Sequence, residues 1–141
     1  MSEIDEALIA QALAAMARAY APYSEFKVGA ALEADDGRVF LGCNVENVSY
    51  PVGMCAERVA LGHAVASGAR HFRRVAVASS GAKVASPCGM CRQALAEFGV
   101  DLEVIGVAGN GDVRRWSLAE LLPADFRLNE ADPDGVARGD A

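Results

Sequence analysis

No stretch of this chain is apolar over the roughly twenty residues that a membrane-spanning helix needs, so neither a span nor a membrane partner is expected. Basic residues are also scarce: 13 lysines and arginines stand against 19 aspartates and glutamates, a formal charge of −6. Binding to a polyanion requires a basic face that displaces counterions, and nucleic acid is therefore not an expected partner. The two basic pairs, Arg73–Arg74 and Arg114–Arg115, read as solvated surface. The first residues, "MSEIDEALIAQ", lack the basic segment and cleavage site of a secretory signal, which makes the cytoplasm the expected location. There are only four cysteines. In a reducing compartment their even number points to metal binding or catalysis before disulfides. The two histidines, His63 and His71, have no ligand-like spacing to other residues.

What is present suits one domain. Just over half the residues are hydrophobic, enough for a core without staples. Residues 1–128 read as a single domain, and the polar "NEADPDGVARGDA", residues 129–141, as a C-terminal tail that frays. Ser2 and Asp5 form a capping pair for a helix running to Tyr20, with Ile4, Leu8, Ile9, Leu13, Met16 and Tyr20 on its apolar side. Alternation predicts a strand in "FKVGAALE", with Phe26, Val28, Ala30 and Leu32 on one face, and Asp36–Gly37 turns it into a second strand, "RVFLGCNVEN". A helix from Cys55 ends near Gly68; "RRVAVAS" is a buried strand; a second cysteine helix is closed by Gly99; "LEVIGV" is another strand. Ser117 and Glu120 cap a short last helix. This order predicts an α/β fold: three layers, α/β/α, around a mixed sheet of roughly five strands.

The two cysteine helices carry the chemistry. Cys88 and Cys91 are three residues apart, on one helical face, where two thiolates can hold one metal ion. Pro87 suits the first helical turn and Ser86 its cap. Cys55, at the start of the other helix, supplies a third thiolate, and helix N-termini favour the ionised sulfur. Three sulfur donors suit Zn²⁺, one per chain, and leave the fourth corner to water, the mark of a catalytic site. Arg58, or else Arg92, offsets the excess negative charge; Arg58 is the preferred candidate because it adjoins Glu57. Glu57, two residues past Cys55, reaches the space above the metal without joining the ligands and is the candidate proton carrier. Competing readings are a thiol oxidoreductase using "CGMC" and a closed structural zinc site with Cys43 as fourth ligand. The strand parity of Cys43 with Val39, Leu41 and Val45 points instead to an inert buried thiol.

The motif "CAE" followed by "PCGMC" matches the zinc nucleoside-deaminase signature in its three-cysteine form. Together with "YAPYSEFKVGAAL", "GCNVENVSYP", "CAERVA", "PCGMCRQALAEFG" and "LLPADF", it makes the chain resemble the small homotetrameric cytidine deaminases over nearly its full length. The resemblance implies a hydrolase that converts cytidine and deoxycytidine to uridine and deoxyuridine with release of ammonia, in pyrimidine salvage. It implies Cys55, Cys88 and Cys91 as zinc ligands and Glu57 as the catalytic proton shuttle. Asn44 and Glu46, which share strand parity, correspond to the pair gripping the ribose 3′-hydroxyl, Phe26 to the ring against the pyrimidine, and Ala56 to a further substrate contact. Tyr50 and Phe126 correspond to residues that enter a neighbouring subunit's pocket, so that active sites lie at subunit interfaces. After Phe126 the chain departs from the pattern, with "RLNEADPDG" in place of a Gly-Pro-like continuation. An aminonucleoside deaminase of the blasticidin S type is the alternative substrate class, and a non-catalytic zinc-stabilised binding module the alternative of a different kind.

Overall fold

The computed structural model describes residues 1–128; the expected polar tail lies outside the described residues. In chain order the elements are α1 (Glu3–Met16), β1 (Val28–Ala34), β2 (Val39–Cys43), a 3-10 turn at Tyr50–Val52, α2 (Ala56–Ala66), β3 (Phe72–Ser79), α3 (Gly89–Ala96), β4 (Glu103–Val107), β5 (Val113–Ser117) and α4 (Leu118–Leu121). The strands form one five-stranded sheet ordered β2-β1-β3-β4-β5. Strands β3 and β4 are parallel and the other neighbours antiparallel. Helix α1 covers one face, where Leu8, Ile9 and Ala12 meet Ala31, Ala76 and Ile105. The other face carries α2 and α3, where Ala60, Ala64 and Leu95 meet Leu32, Val75 and Val104. The expected three-layer, mixed-sheet α/β architecture is present.

The expected punctuation holds. Ser2 and Asp5 cap α1 reciprocally, and Ser117 and Glu120 do the same for α4. Gly68 and Gly99, past the ends of α2 and α3, take φ of +95° and +118°, a left-handed conformation that only glycine adopts without strain.

Three details differ from the pattern-based expectation. Helix α1 stops at Met16 because Tyr20 is drawn into extended pairing: its N–H donates to the Asn44 carbonyl at 2.9 Å, and its carbonyl accepts from Glu46 N–H at 2.9 Å. Its buried stripe is Leu8, Ile9, Ala12 and Ala15, while Ile4 and Leu13 stay exposed. The small residues face the sheet because Gly29 brings β1 against the helix backbone; a Cβ there would lie 2.1 Å from the Ala12 carbonyl oxygen. Phe26 precedes β1 rather than lying within it.

The basic pairs are not solvated surface throughout. Arg115 reaches Asp5 at 2.6 Å and also pairs with Glu103, while Arg74 bridges Asp5 at 3.4 Å and Glu33 at 2.9 Å. Asp5 itself is buried. These ion pairs tie the first turn of α1 to β1, β3, β4 and β5. Sequence spacing could not show it, since the partners are up to 110 residues apart. The Ser2 hydroxyl, with help from Arg115, holds the Asp5 carboxyl down at a pKa of about 2.

The topology decides where the helices begin. Strands β2 and β3 both run antiparallel to β1 and hence parallel to one another. Helices α2 and α3 each follow the carboxyl end of one of these strands, so they start on the same edge of the sheet, the place where open α/β sheets bind ligands. Gly42 makes the α2 side possible: a Cβ at that position would meet the Ala56 carbonyl oxygen at 2.3 Å and Ala60 N at 2.4 Å.

Two outcomes follow. Gly42→Ala should displace the start of α2 and lower stability by roughly 3 kcal/mol, the upper range for overpacking. Gly62→Ala, where a Cβ meets nothing within 4 Å, should be neutral or mildly stabilising; urea titration of both variants compares them. Replacing Asp5 with Ala should lower the melting temperature at pH 7 by roughly 5 °C, since it removes the buried carboxylate that caps α1 and pairs with Arg74 and Arg115. Because the folded pKa is depressed, Asp5's stabilisation is complete above its ordinary value of 3.8 and is lost as pH falls through about 2. The gap between wild-type and variant melting curves should therefore close in that acid range.

Candidate active site

Cys55 and Cys88 are the N-cap residues of α2 and α3, and neither side chain is used for capping. Their sulfurs are thus left beside the unpaired amides of two helix starts, where negative charge is favoured. Cys91, in the first turn of α3, is fully buried. The Cys55 and Cys88 sulfurs are 3.7 Å apart, those of Cys88 and Cys91 3.4 Å, and all three lie within 4.8 Å of one another. A tetrahedral ion with metal–sulfur bonds of about 2.3 Å needs sulfurs about 3.8 Å apart. The donor set therefore fits a zinc-sized thiophilic cation. Among the described residues no fourth histidine, cysteine or carboxylate joins the cluster.

Pro87 and Ser86 act differently from the expectation. The helix begins one residue later, so Pro87 precedes the N-cap and is buried. The Ser86 hydroxyl accepts from Arg92 at 2.9 Å instead of capping. Arg92 also donates to the carbonyls of Pro87 at 2.7 Å and Leu121 at 2.8 Å, which ties the segment before Cys88 to α4. Arg58 is the guanidinium at the sulfurs: its Nη1 lies 3.5 Å from Cys91 Sγ and 3.9 Å from Cys88 Sγ, and its Nη2 donates to the Gly53 carbonyl at 3.5 Å.

The electrostatics are those of a crowded anion site. A hydrogen bond from the Cys91 thiol draws Cys55 down to a pKa of about 5, further helped by Cys88 and Arg58. That same bond, with burial and the nearby Glu57 charge, pushes Cys91 up. A divalent cation replaces such shared protons as the agent that lets all three sulfurs ionise. Glu57, in the first turn of α2, is 4% exposed. Burial raises its pKa above the usual carboxylate value, and the Cys55 charge adds to the effect.

A second wall comes from the chain after β2. Residues 44–46 continue extended: Val45 bridges Tyr20 on one side and Met54 on the other. In this extended stretch Asn44 and Glu46, two residues apart, put their side chains on the same face. The Asn44 carboxamide accepts from Val28 N–H at 2.9 Å and donates to the Phe26 carbonyl at 2.8 Å. Glu46 Oε1 accepts from the backbone N–H groups of Tyr23 at 3.0 Å and Ser24 at 3.1 Å, and Oε2 accepts from the Ser24 hydroxyl. These bonds, the hydroxyl first, lower the Glu46 pKa, so it is an ionised acceptor at neutral pH. Tyr23, Ser24, Glu46, Asn47, Tyr50 and Gly53 line a cleft of about 300 Å³. Gly53 joins it to the sulfurs through Arg58.

Phe26 is partly exposed, and its ring lies over Gly81, where a Cβ would come within 2.9 Å of Cε1. Tyr50 and Phe126 are 78% and 70% exposed; the Tyr50 ring meets Tyr23 edge-on, at 6.3 Å between centroids. Ala56, the first residue of α2, is fully buried in the core. Cys43 corrects its parity reading: it is half-buried, and its thiol donates to the Arg18 carbonyl at 3.6 Å. It lies outside the sulfur cluster. Ser24, Gly53 and Gly81 join the site without belonging to the metal-ligand or sugar-binding pattern of the sequence. Only Ser24 had a local signal, as a hydroxyl two residues before an aromatic in a turn.

A family profile described as the cytidine and deoxycytidylate deaminase zinc-binding region matches residues 2–107. A cytidine deaminase from Sporosarcina psychrophila is 45% identical over 122 residues, 86% of this chain and 90% of that protein. One from Halalkalibacterium halodurans is 43% identical over 124 residues, 87% of this chain and 94% of the relative. The crystal structure of cytidine deaminase from Burkholderia pseudomallei superposes with a TM-score of 0.82 at 49% identity, covering 89% of this chain and all of that one. A blasticidin-S deaminase from Bacillus cereus is 29% identical over 110 residues, 72% of this chain and 78% of its own length.

Purified protein should contain about one zinc ion per chain by plasma mass spectrometry, and Cys91→Ala should contain almost none. Wild-type levels of zinc in that variant would remove the buried sulfur from the ligand set.

Proposed function

The chain belongs to the cytidine and deoxycytidylate deaminase family, and from that premise we propose that it hydrolyses cytidine and deoxycytidine to uridine and deoxyuridine, releasing ammonia. The single observation that carries this reading is a cluster of three sulfurs with no fourth protein donor among the described residues, beside a buried carboxylate that is not among them. A structural zinc site closes its shell with four protein ligands, whereas a hydrolytic one keeps a corner for water.

In this reading Cys55, Cys88 and Cys91 hold the ion, and residues 1–128 form one catalytic domain. Bound zinc supplies Lewis acidity, which makes water a competent nucleophile near neutral pH and stabilises negative charge developing on oxygen. The chain's own groups do the rest. Arg58 balances the three thiolates and holds Cys91 in place. Glu57 takes a proton from the attacking water and delivers it to N3 of the pyrimidine, which makes C4 electrophilic. It then carries the hydroxyl proton to the departing amino group. Glu46 accepts from a sugar hydroxyl and Asn44 lies beside it, while Phe26 offers its ring to the base. Ala56, beside Glu57, is a further substrate contact in this reading.

The assembly is a homotetramer with active sites at subunit interfaces. The exposed rings of Tyr50 and Phe126 support this, since each is free to be covered by a neighbouring subunit. The role is pyrimidine salvage in the cytoplasm; no helix among the described residues is long and apolar enough to cross a membrane. A blasticidin-type activity would share the metal centre, and a panel of cytidine, deoxycytidine and blasticidin S separates the two.

The decisive assay follows loss of cytidine absorbance with purified enzyme, with and without a strong zinc chelator. Activity should vanish with zinc removal and return on reconstitution. Glu57→Gln should retain its zinc and fold but lose turnover by about 10⁴-fold, because two proton transfers depend on one carboxylate. Near-normal turnover in that variant would refute the assignment.

A further inference from the structure

The turn before β1 contains a small hydrogen-bonded hub that none of the roles above uses. Its centre is Ser24. The Ser24 hydroxyl donates to Glu46 Oε2 and accepts from the Phe26 N–H at 3.0 Å. Between them Glu25 takes φ of +59°, a left-handed conformation uncommon for a residue with a side chain; it turns the Phe26 N–H back towards Ser24. Asn44 then fixes the far side of Phe26, through its carbonyl and the next-but-one amide.

Counting acceptor sites shows what the hydroxyl decides. Glu46 Oε1 already takes two backbone N–H groups, Tyr23 and Ser24, which fill its lone pairs. Oε2 takes one bond, from Ser24, and keeps one lone pair. A ligand hydroxyl can therefore bond Glu46 only at that remaining position, and the Ser24 O–H sets where it points. Without it the carboxylate is free to pivot about Oε1, and the Phe26 amide loses its acceptor.

We propose that Ser24 is a positioning residue that couples the two halves of the substrate pocket, aiming the Glu46 carboxylate at the sugar and holding the Phe26 ring against the base. This rests on the reading that Glu46 meets the sugar and Phe26 the pyrimidine. The rest of the hub follows from it: the strained Glu25 conformation is the link by which one hydroxyl serves both groups.

The test compares kcat/KM for cytidine with that for 2′,3′-dideoxycytidine, which carries the same base and 5′-hydroxyl but lacks the 2′ and 3′ hydroxyls. Because the base is common to both, any effect through Phe26 cancels in the ratio, and a general loss of stability leaves it unmoved. Ser24→Ala should lower the ratio about tenfold, the scale of one hydrogen bond to a charged group. It should also raise KM for the dideoxy substrate about threefold through Phe26, with kcat little changed. Glu46→Ala should lower the ratio at least as far, the double variant no further, and Ser24→Thr, which keeps the hydroxyl, should restore it. A wild-type ratio in Ser24→Ala while Glu46→Ala collapses it, or additive losses in the double variant, overturns the role of Ser24 alone. A ratio unmoved by Glu46→Ala overturns the sugar reading itself, and this proposal with it.

Discussion

Everything in this structure is arranged around the cost of holding three sulfur anions within one another's reach. Like charges at that separation repel strongly in a partly buried site. The fold answers with the unpaired amides of two helix starts, the Arg58 guanidinium 3.5 Å from Cys91, and a donor geometry that suits one divalent cation. Glu57 adds a further negative group to the same pocket, buried and with its pKa raised. A carboxylate placed there is costly to keep ionised and correspondingly ready to accept a proton, which is the property a proton carrier needs.

The sheet serves that arrangement. Two helices begin side by side only because β2 and β3 run parallel on either side of β1. Helix α2 comes close enough to β2 because Gly42 has no side chain to hold it off. On the opposite face α1 is drawn in by Gly29 and anchored by the Asp5, Arg74 and Arg115 ion pairs. The wall formed by residues 44–46 is an extension of the same sheet. The chain leaving β2 stays extended through Glu46, pairs with Tyr20 and Met54, and so brings its polar residues to the edge where the cysteine helices start.

The polar residues of that wall are already occupied. Asn44 spends both ends of its amide on the backbone around Phe26, and Glu46 is held by the turn at Tyr23 and Ser24. A pocket whose recognition groups are held before the ligand arrives loses less conformational entropy on binding. Each of these two polar side chains is thus fixed by a neighbouring chain segment.

Much of this was legible in the sequence, because its signals are local. Caps such as Ser2–Asp5, strand alternation, the glycines that end helices, and the spacing of Cys88 and Cys91 depend on residues a few positions apart, and their physics acts over one turn or one strand. The sequence by itself therefore determined the element order, the layered α/β class and the sulfur-plus-carboxylate constellation. Only the tertiary structure decided which arginine meets the sulfurs, that Arg74 and Arg115 are ion-paired to a helix cap, that Cys43 stands apart half-buried, and that Ser24 joins Glu46 to Phe26. The physical reason is the same in each case. These contacts join residues remote in sequence or set by the precise path of a turn, and no periodicity records where a folded backbone brings two such groups within hydrogen-bonding distance.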